Sequence, residues 1–343
     1  MDGKRYRMKT ITIDGQDYRL PSELNLFQQD LYVHLINWKW AHITREPGIN
    51  LGTPYDAILP EQYADQIPVI FPEIVPVLKE HLQKFPFRIH KYFNHMASSQ
   101  AANINLFLPV LRHPSASAVL VQLKPDFARL ATDQLDHGYR IEFWDEPFGN
   151  LGDKTDTTGT DTDTAIAYYN HQDELCLWLI EHKLTEKEFT TCGGFKSKGR
   201  HAQHDCSKTF SDILEDKHIC YYHDIRHFNY WKITEANQNF FPNHTKHASC
   251  PFWGGMNQLW RNQLLGLSIE RDPRQAYQHV TFSVVNHPRN RSLEPSIAEY
   301  RQLIDDNPKF STFTSADLCS AASSLQDLEL DRWVDWYYNL YAL

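Results

Sequence analysis

TDTDTAIAYYNHQDELCLWLIEHKLTE, residues 160–186, sets two apolar segments around a polar turn and leaves charges at their far ends. DTAIAYY alternates as a strand does, NHQD has turn chemistry, and ELCLWLI is a nearly continuous apolar run suited to a strand buried on both faces. If Asn170 and Glu174 close the turn, antiparallel pairing sets Asp163 opposite Glu181 and Asp161 opposite Lys183. Directly opposed residues stand about 4.5–5.5 Å apart at their β-carbons on one face, and strand alternation puts Glu181 and Lys183 on that face together. Four charged groups then converge at one end of a greasy sheet.

Outward from the hairpin, YRIEFWDE (139–146) reads as a strand, so 139–183 forms a three-strand meander. SSQAANINLFLPVL (98–111) begins with a serine cap and continues as a buried helix, and a second helix is expected within KPDFARLATDQLDH. After the hairpin come an irregular Cys/His-rich stretch (192–250), a helix MNQLWRNQLLGL, a strand HVTFSVV and C-terminal helical segments ending in DRWVDWYYNLYAL. Before it, TITIDGQDYRL has a strand–turn pattern, and the proline-punctuated run up to about residue 85 reads as an extension packed on the core. The chain therefore divides into an N-terminal extension (1–90), a core (91–300) carrying the insertion 192–250, and a C-terminal helical segment (301–343).

A chain of 343 residues with 41% hydrophobic and 22% charged side chains can bury a large core, which excludes a disordered protein. The closest approach to a membrane span, IPVIFPEIVPVL, is broken by prolines and Glu73, and MDGKRYRMKT has no apolar signal core behind it. The expectation is a cytoplasmic protein without membrane contact. A formal charge of −9 argues against a passive nucleic-acid coat. It leaves room for an enzyme that concentrates basic groups near its site, and KSKGRHAQHDCSK (196–208) offers Lys196, Lys198 and Arg200 for such contacts; a solvated loop is the competing reading.

Two carboxylates as close as Asp163 and Glu181 resist joint ionisation unless a cation lies between them. Hard oxygen donors with room for water suit Mg²⁺ or Mn²⁺, which would polarise a phosphodiester. With Lys183 beside them, able to orient a water or neutralise transition-state charge, the set points to phosphodiester hydrolysis.

Asp163 followed by Glu181-His182-Lys183 on the next strand resembles the D…(D/E)xK signature of the PD-(D/E)XK, or restriction-endonuclease-like, nuclease superfamily, in a poorly characterised bacterial branch. That resemblance implies an α/β fold with a mixed central β-sheet flanked by helices. It further implies that Asp163 and Glu181 bind the metal, with the His182 backbone carbonyl as a further ligand, and that Lys183 serves catalysis. Thr162, not proline, precedes Asp163, and Asp161 stands as the alternative ligand. NQLWRN (257–262) resembles the Gln-bearing helix of several nuclease branches and adds Gln258 to the catalytic set. Its Arg261, three positions on, suits a phosphate. Gln100 and Asn103 of SSQAANINLF are further candidates to reach the site; Glu142 reads first as an exposed strand residue, with an auxiliary carboxylate as the alternative. The expected substrate is DNA; an RNA-cleaving member with the same site, or a catalytically silent nucleic-acid-binding scaffold on the same fold, are the alternatives.

Cys192, Cys206, Cys220 and Cys250 follow the catalytic strand among seven histidines, and Cys or His sets of four are the donors of structural zinc. CPF at 250 also resembles iron–sulfur members of the superfamily, and buried thiols are the third reading. Cys176 and Cys319 read as core residues.

Overall fold

The computed structural model describes residues 8–154, 159–197 and 204–343, with the side chains of 196 and 197 outside the description. Its strands are β1 (Met8–Ile13), β2 (Gln16–Pro21), β3 (Gly48–Asn50), β4 (Thr53–Tyr55), β5 (Phe127–Leu130), β6 (Tyr139–Phe143), β7 (Thr162–Asn170), β8 (Leu175–Lys183), β9 (His279–Asn286) and β10 (Phe310–Thr314). A six-stranded sheet runs β10-β9-β8-β7-β5, with β6 also paired to β7. β7 pairs antiparallel with β5, β6 and β8, whereas β8–β9 and β9–β10 are parallel, so the sheet is mixed.

β8 lies between β7 and β9, and all nine of its residues are buried. That is why its sequence is a continuous apolar run rather than an alternating one. Ile166, Tyr168, Trp178, Ile180 and Val285 face one core, shared with the helices Ser99–Arg112, Ser315–Ser323 and Leu328–Tyr341. Ala165, Ala167, Leu177, Leu179, Val280, Phe282 and Val284 face the other, under the helix Asn257–Arg271. Each large apolar side chain buried this fully contributes about 1.5–3 kcal/mol, so the sheet can carry charged groups at one end. Gly266 brings the covering helix close: a β-carbon there would stand 3.1 Å from Val280 Cγ1 and 3.5 Å from Leu179 Cδ1.

The meander 139–183 forms as its pattern predicts, and Asn170 N–H donates to Glu174 O at 3.0 Å, closing the β7–β8 turn. The helix Ser99–Arg112 starts at the Ser98 cap, whose hydroxyl accepts from Ala101 N. β1 and β2 are the strand–turn pair of TITIDGQDYRL. Leu31 and Leu35, on the helix Leu26–His42, join the first of the two cores.

Two expectations differ. No helix forms within KPDFARLATDQLDH: Phe127–Leu130 is instead an edge strand on β7, with a register shift between Phe127 and Arg129 and Phe127 stacked on Tyr168 at 4.8 Å. Positive φ at Leu135, His137 and Gly138 then breaks any helical continuation. The C-terminal segment is not wholly helical either, since β10 lies within it and continues the sheet beyond β9. Its short FSTFT run has too few residues to show a period against the helices on either side. Among the described residues no helix is long and apolar enough to cross a membrane.

Candidate active site

The β7–β8 register pairs Thr164 with Ile180 and Tyr169 with Leu175, so one step further Asp163 falls opposite Glu181. Here the ladder gives way to a side chain. Asp163 Oδ2 accepts the backbone N–H of His182 at 2.6 Å, tying the carboxylate to the strand that carries Glu181. Asn103, from the helix on the opposite face, donates Nδ2 to the Asp163 carbonyl at 3.0 Å and to Thr164 Oγ1 at 3.0 Å. The end of β7 is thereby fixed from both sides.

Glu181 is 4% exposed, and both its oxygens are engaged. Lys183 Nζ lies 2.8 Å from Oε1, Gln258 donates Nε2 to Oε1 at 2.7 Å, and Asn262 donates Nδ2 to Oε2 at 2.8 Å. Gln258, Asn262 and Gly266 follow one another at intervals of four along one helix, so the same stripe that approaches the sheet at Gly266 aims the two amides at Glu181. Gln258 Oε1 also accepts from Thr190 N at 3.1 Å, joining the clamp to the chain that leaves β8.

Glu142 lies between the β6–β7 pairs Ile141–Thr164 and Phe143–Thr162, which sets it alongside Asp163. Its φ of 51° interrupts the strand's alternation, so Tyr139 and Ile141 face one core and Phe143 the other. Three carboxylates thus crowd together. Burial first, then Glu181 and Glu142, push the Asp163 carboxyl well above its ordinary range, against the opposing pull of Lys183 and the His182 N–H. Burial, then Asp161 and Glu181, raise Glu142 in the same sense. Burial on its own would lower the Lys183 ammonium, but Glu181, Glu186 and Asp163 outweigh it and raise the pKa, so Lys183 is a cation at neutral pH.

Asp161 stands more exposed at the mouth. Loss of hydration and Glu181 raise its carboxyl, while Lys154 and Arg261 oppose them. The residue before it is anchored: Thr160 Oγ1 and Tyr230 OH both donate to Asp153 Oδ2, at 2.5 and 2.6 Å. Arg261 Nη1 donates to Thr160 Oγ1 at 3.3 Å, and its Nε is buried without a partner. Arg261 therefore belongs to the wall beside Asp161, on a different side of its helix from Gln258 and Asn262. The His182 ring is buried on the far face, where burial lowers it to about 4 and keeps it neutral.

The structure brings Asp163, Glu181, Lys183 and Gln258 to one place, as the hairpin register and the helix predict, with Asp161 at the rim. Gln100 accepts from His90 N at 2.8 Å and donates to Arg88 O, and it also hydrogen-bonds Glu142. Asn262 went unread in the sequence, although its position four after Gln258 was a usable signal. Lys198 and Arg200, expected as nucleic-acid contacts, lie outside the described residues, and so does the side chain of Lys196.

The carboxylates of Glu142, Asp163 and Glu181 are hard oxygen donors, and the charge they hold in excess suits a divalent cation. Among the described residues, no three His, Cys, Asp or Glu side chains are already drawn into a shell that could hold an ion.

Residues 44–342 match the family model described as Restriction Endonuclease associating with ARP. No curated protein and no solved structure matched.

Proposed function

The chain belongs to the family of restriction endonucleases associating with ARP, and from that premise we propose that it is a Mg²⁺- or Mn²⁺-dependent nuclease of PD-(D/E)XK type that hydrolyses DNA phosphodiester bonds. The observation carrying this reading is the buried end of the hairpin, where burial and then acidic neighbours raise Asp163 and Glu142, and Lys183 is held as a cation against Glu181.

Asp163 and Glu181 would hold the cation, with Glu142 or Asp161 beside them and the His182 carbonyl as a further oxygen. Bound there, a divalent ion supplies Lewis-acid polarisation of the scissile phosphate. The chain's own groups do the rest. Lys183, kept protonated, cannot serve as a base in that state; its N–H groups stabilise the negative charge that builds on the phosphoryl oxygens and orient the attacking water. Gln258 and Asn262 fix the rotamer of Glu181, and the His182 N–H fixes that of Asp163. Arg261, beside Asp161, adds positive charge near the phosphates of the bound strand.

The test is a cleavage screen on single- and double-stranded DNA and RNA with Mg²⁺, Mn²⁺ or EDTA, run beside Lys183→Ala. Cleavage of DNA that needs the metal and disappears in the folded variant is the expected result. Cleavage confined to RNA would move the substrate and keep the site, whereas binding without cleavage in every condition would overturn the reading in favour of a scaffold.

A further inference from the structure

Among the described residues, the chain between β8 and the helix Asn257–Arg271 contains only short helices: Gly193–Ser197, Phe210–Glu215, Tyr221–Asp224 and Tyr230–Ala236, with single 3-10 turns at Lys217–Ile219, Gln238–Phe240 and His244–Lys246. Three backbone hydrogen bonds join distant parts of it. Cys192 N donates to Trp253 O at 3.2 Å, Asp205 N to Ile219 O at 3.3 Å, and Cys250 N to Cys206 O at 3.3 Å. Each bond has a cysteine at one end or beside it, so together they draw four cysteines far apart in sequence to one place.

Cys192, Cys206, Cys220 and Cys250 all line one cavity of about 20 Å³, with Trp231, Phe252 and Trp260 among its walls. Cys176 and Cys319 belong to the core on the other face of the sheet. All six cysteines are described, and none is in a disulfide. Burial raises Cys192 to about 11 and Cys250 well above the ordinary thiol range, and for Cys250 the sulfurs of Cys220, Cys206 and Cys192 push further in the same direction. Backbone N–H groups oppose this. The Phe195 N–H does so at Cys192, donating to its Sγ at 3.4 Å.

We propose that Cys192, Cys206, Cys220 and Cys250 form a tetrathiolate site for a single structural Zn²⁺, which pins this region and the start of the helix bearing Gln258 and Asn262. No three of these side chains already stand close enough together to hold an ion, so binding would draw the sulfurs inward and release their protons. A space of about 20 Å³ suits a single ion. Four soft donors with no open position give a closed tetrahedral shell, the structural rather than the catalytic kind. Asn257 lines the same cavity and immediately precedes Gln258, so the ion would support the Glu181 clamp from behind.

Elemental analysis of the full chain purified without chelator tests this independently of any nuclease assay, and the expected content is about one zinc per chain. Replacement by Co²⁺ should give the intense near-ultraviolet sulfur-to-cobalt charge transfer of four thiolates. Cys206→Ser should lower the zinc content while Cys176→Ser leaves it unchanged; if Cys206→Ser fails to fold, the native count and the cobalt spectrum still decide. A folded protein without zinc, or one carrying iron with acid-labile sulfide, overturns the proposal.

Discussion

The helix Asn257–Arg271 meets a carboxylate near each of its ends and treats the two in opposite ways. At its C-terminal end, Arg274 donates Nε to Asp272 Oδ1 at 2.7 Å and Nη2 to Oδ2 at 2.5 Å, and Asn150 adds a bond at 3.0 Å. The guanidinium holds the Asp272 carboxyl well below its ordinary range. At the other end the helix offers only neutral amides, Gln258 and Asn262, to Glu181, and the neighbouring Asp163 is pushed up instead. Both carboxylates have a cationic partner, Arg274 for Asp272 and Lys183 for Glu181, but only Glu181 has further carboxylates, Asp163 and Glu142, crowded beside it. A carboxylate kept for architecture is given an arginine; those at the end of β8 are positioned and left with negative charge in excess, which leaves them free to bind a cation from outside.

The largest expected effect comes from removing that excess. Asp163→Asn keeps an oxygen for the His182 N–H but loses the charge, and cleavage should fall by at least about 10²–10³-fold, measured as plasmid nicking at saturating Mg²⁺. The same variant should melt at a higher temperature than the parent when no divalent ion is present. A variant that is both active and no more stable would erase the contrast with Asp272. Removing the amides is milder: Asn262→Ala or Gln258→Ala should raise the Mg²⁺ concentration for half-maximal activity by about 10–100-fold, with little change in the maximal rate.

Stability against pH sharpens the comparison. Asp163 titrates higher in the folded state than the roughly 3.9 of an unfolded aspartate, so between those two values the folded state binds more protons and stability falls as pH rises. Lys183 stays charged through this window and adds no slope of its own. The rise in melting temperature produced by Mg²⁺ should therefore be larger at about pH 8 than at about pH 5. A gain independent of pH would remove the charge argument. The smallest effect belongs to the other end of the helix. Asp272→Asn should lower the melting temperature and leave both the rate and the Mg²⁺ requirement unchanged, which a side-by-side melt and nicking assay would check.

Much of this site was legible because it depends on local geometry. The β7–β8 register follows from turn length, and strand alternation then puts Asp163, Glu181 and Lys183 on one face. Gln258 was legible as a helix residue, yet pairing it with Arg261 missed the fourfold interval that sends Asn262, not Arg261, to Glu181. Glu142 could be named as an auxiliary carboxylate, but its crowding against Asp163 depends on an unusual backbone angle that composition does not reveal. Phe127–Leu130 and Phe310–Thr314 were harder still. Short edge strands are selected by the neighbour they pair with, β7 and β9, and nothing within four or five residues encodes that partner.

The place of β10 bears on how the protein can be shortened. β9 is apolar on both faces, with Val280, Phe282, Val284 and Val285 all buried, and Phe310–Thr314 covers the backbone edge that would otherwise be open. A fragment cut before residue 310 would present that edge, five residues of unpaired backbone amides and carbonyls flanked by apolar side chains, as a template for another chain. Phe310–Thr314 thus guards against self-association, and expression trials that trim from 310 onward, which also strip the helices Ser315–Ser323 and Leu328–Tyr341 from the first core, should yield filaments or inclusion bodies although every residue at the end of β8 is retained.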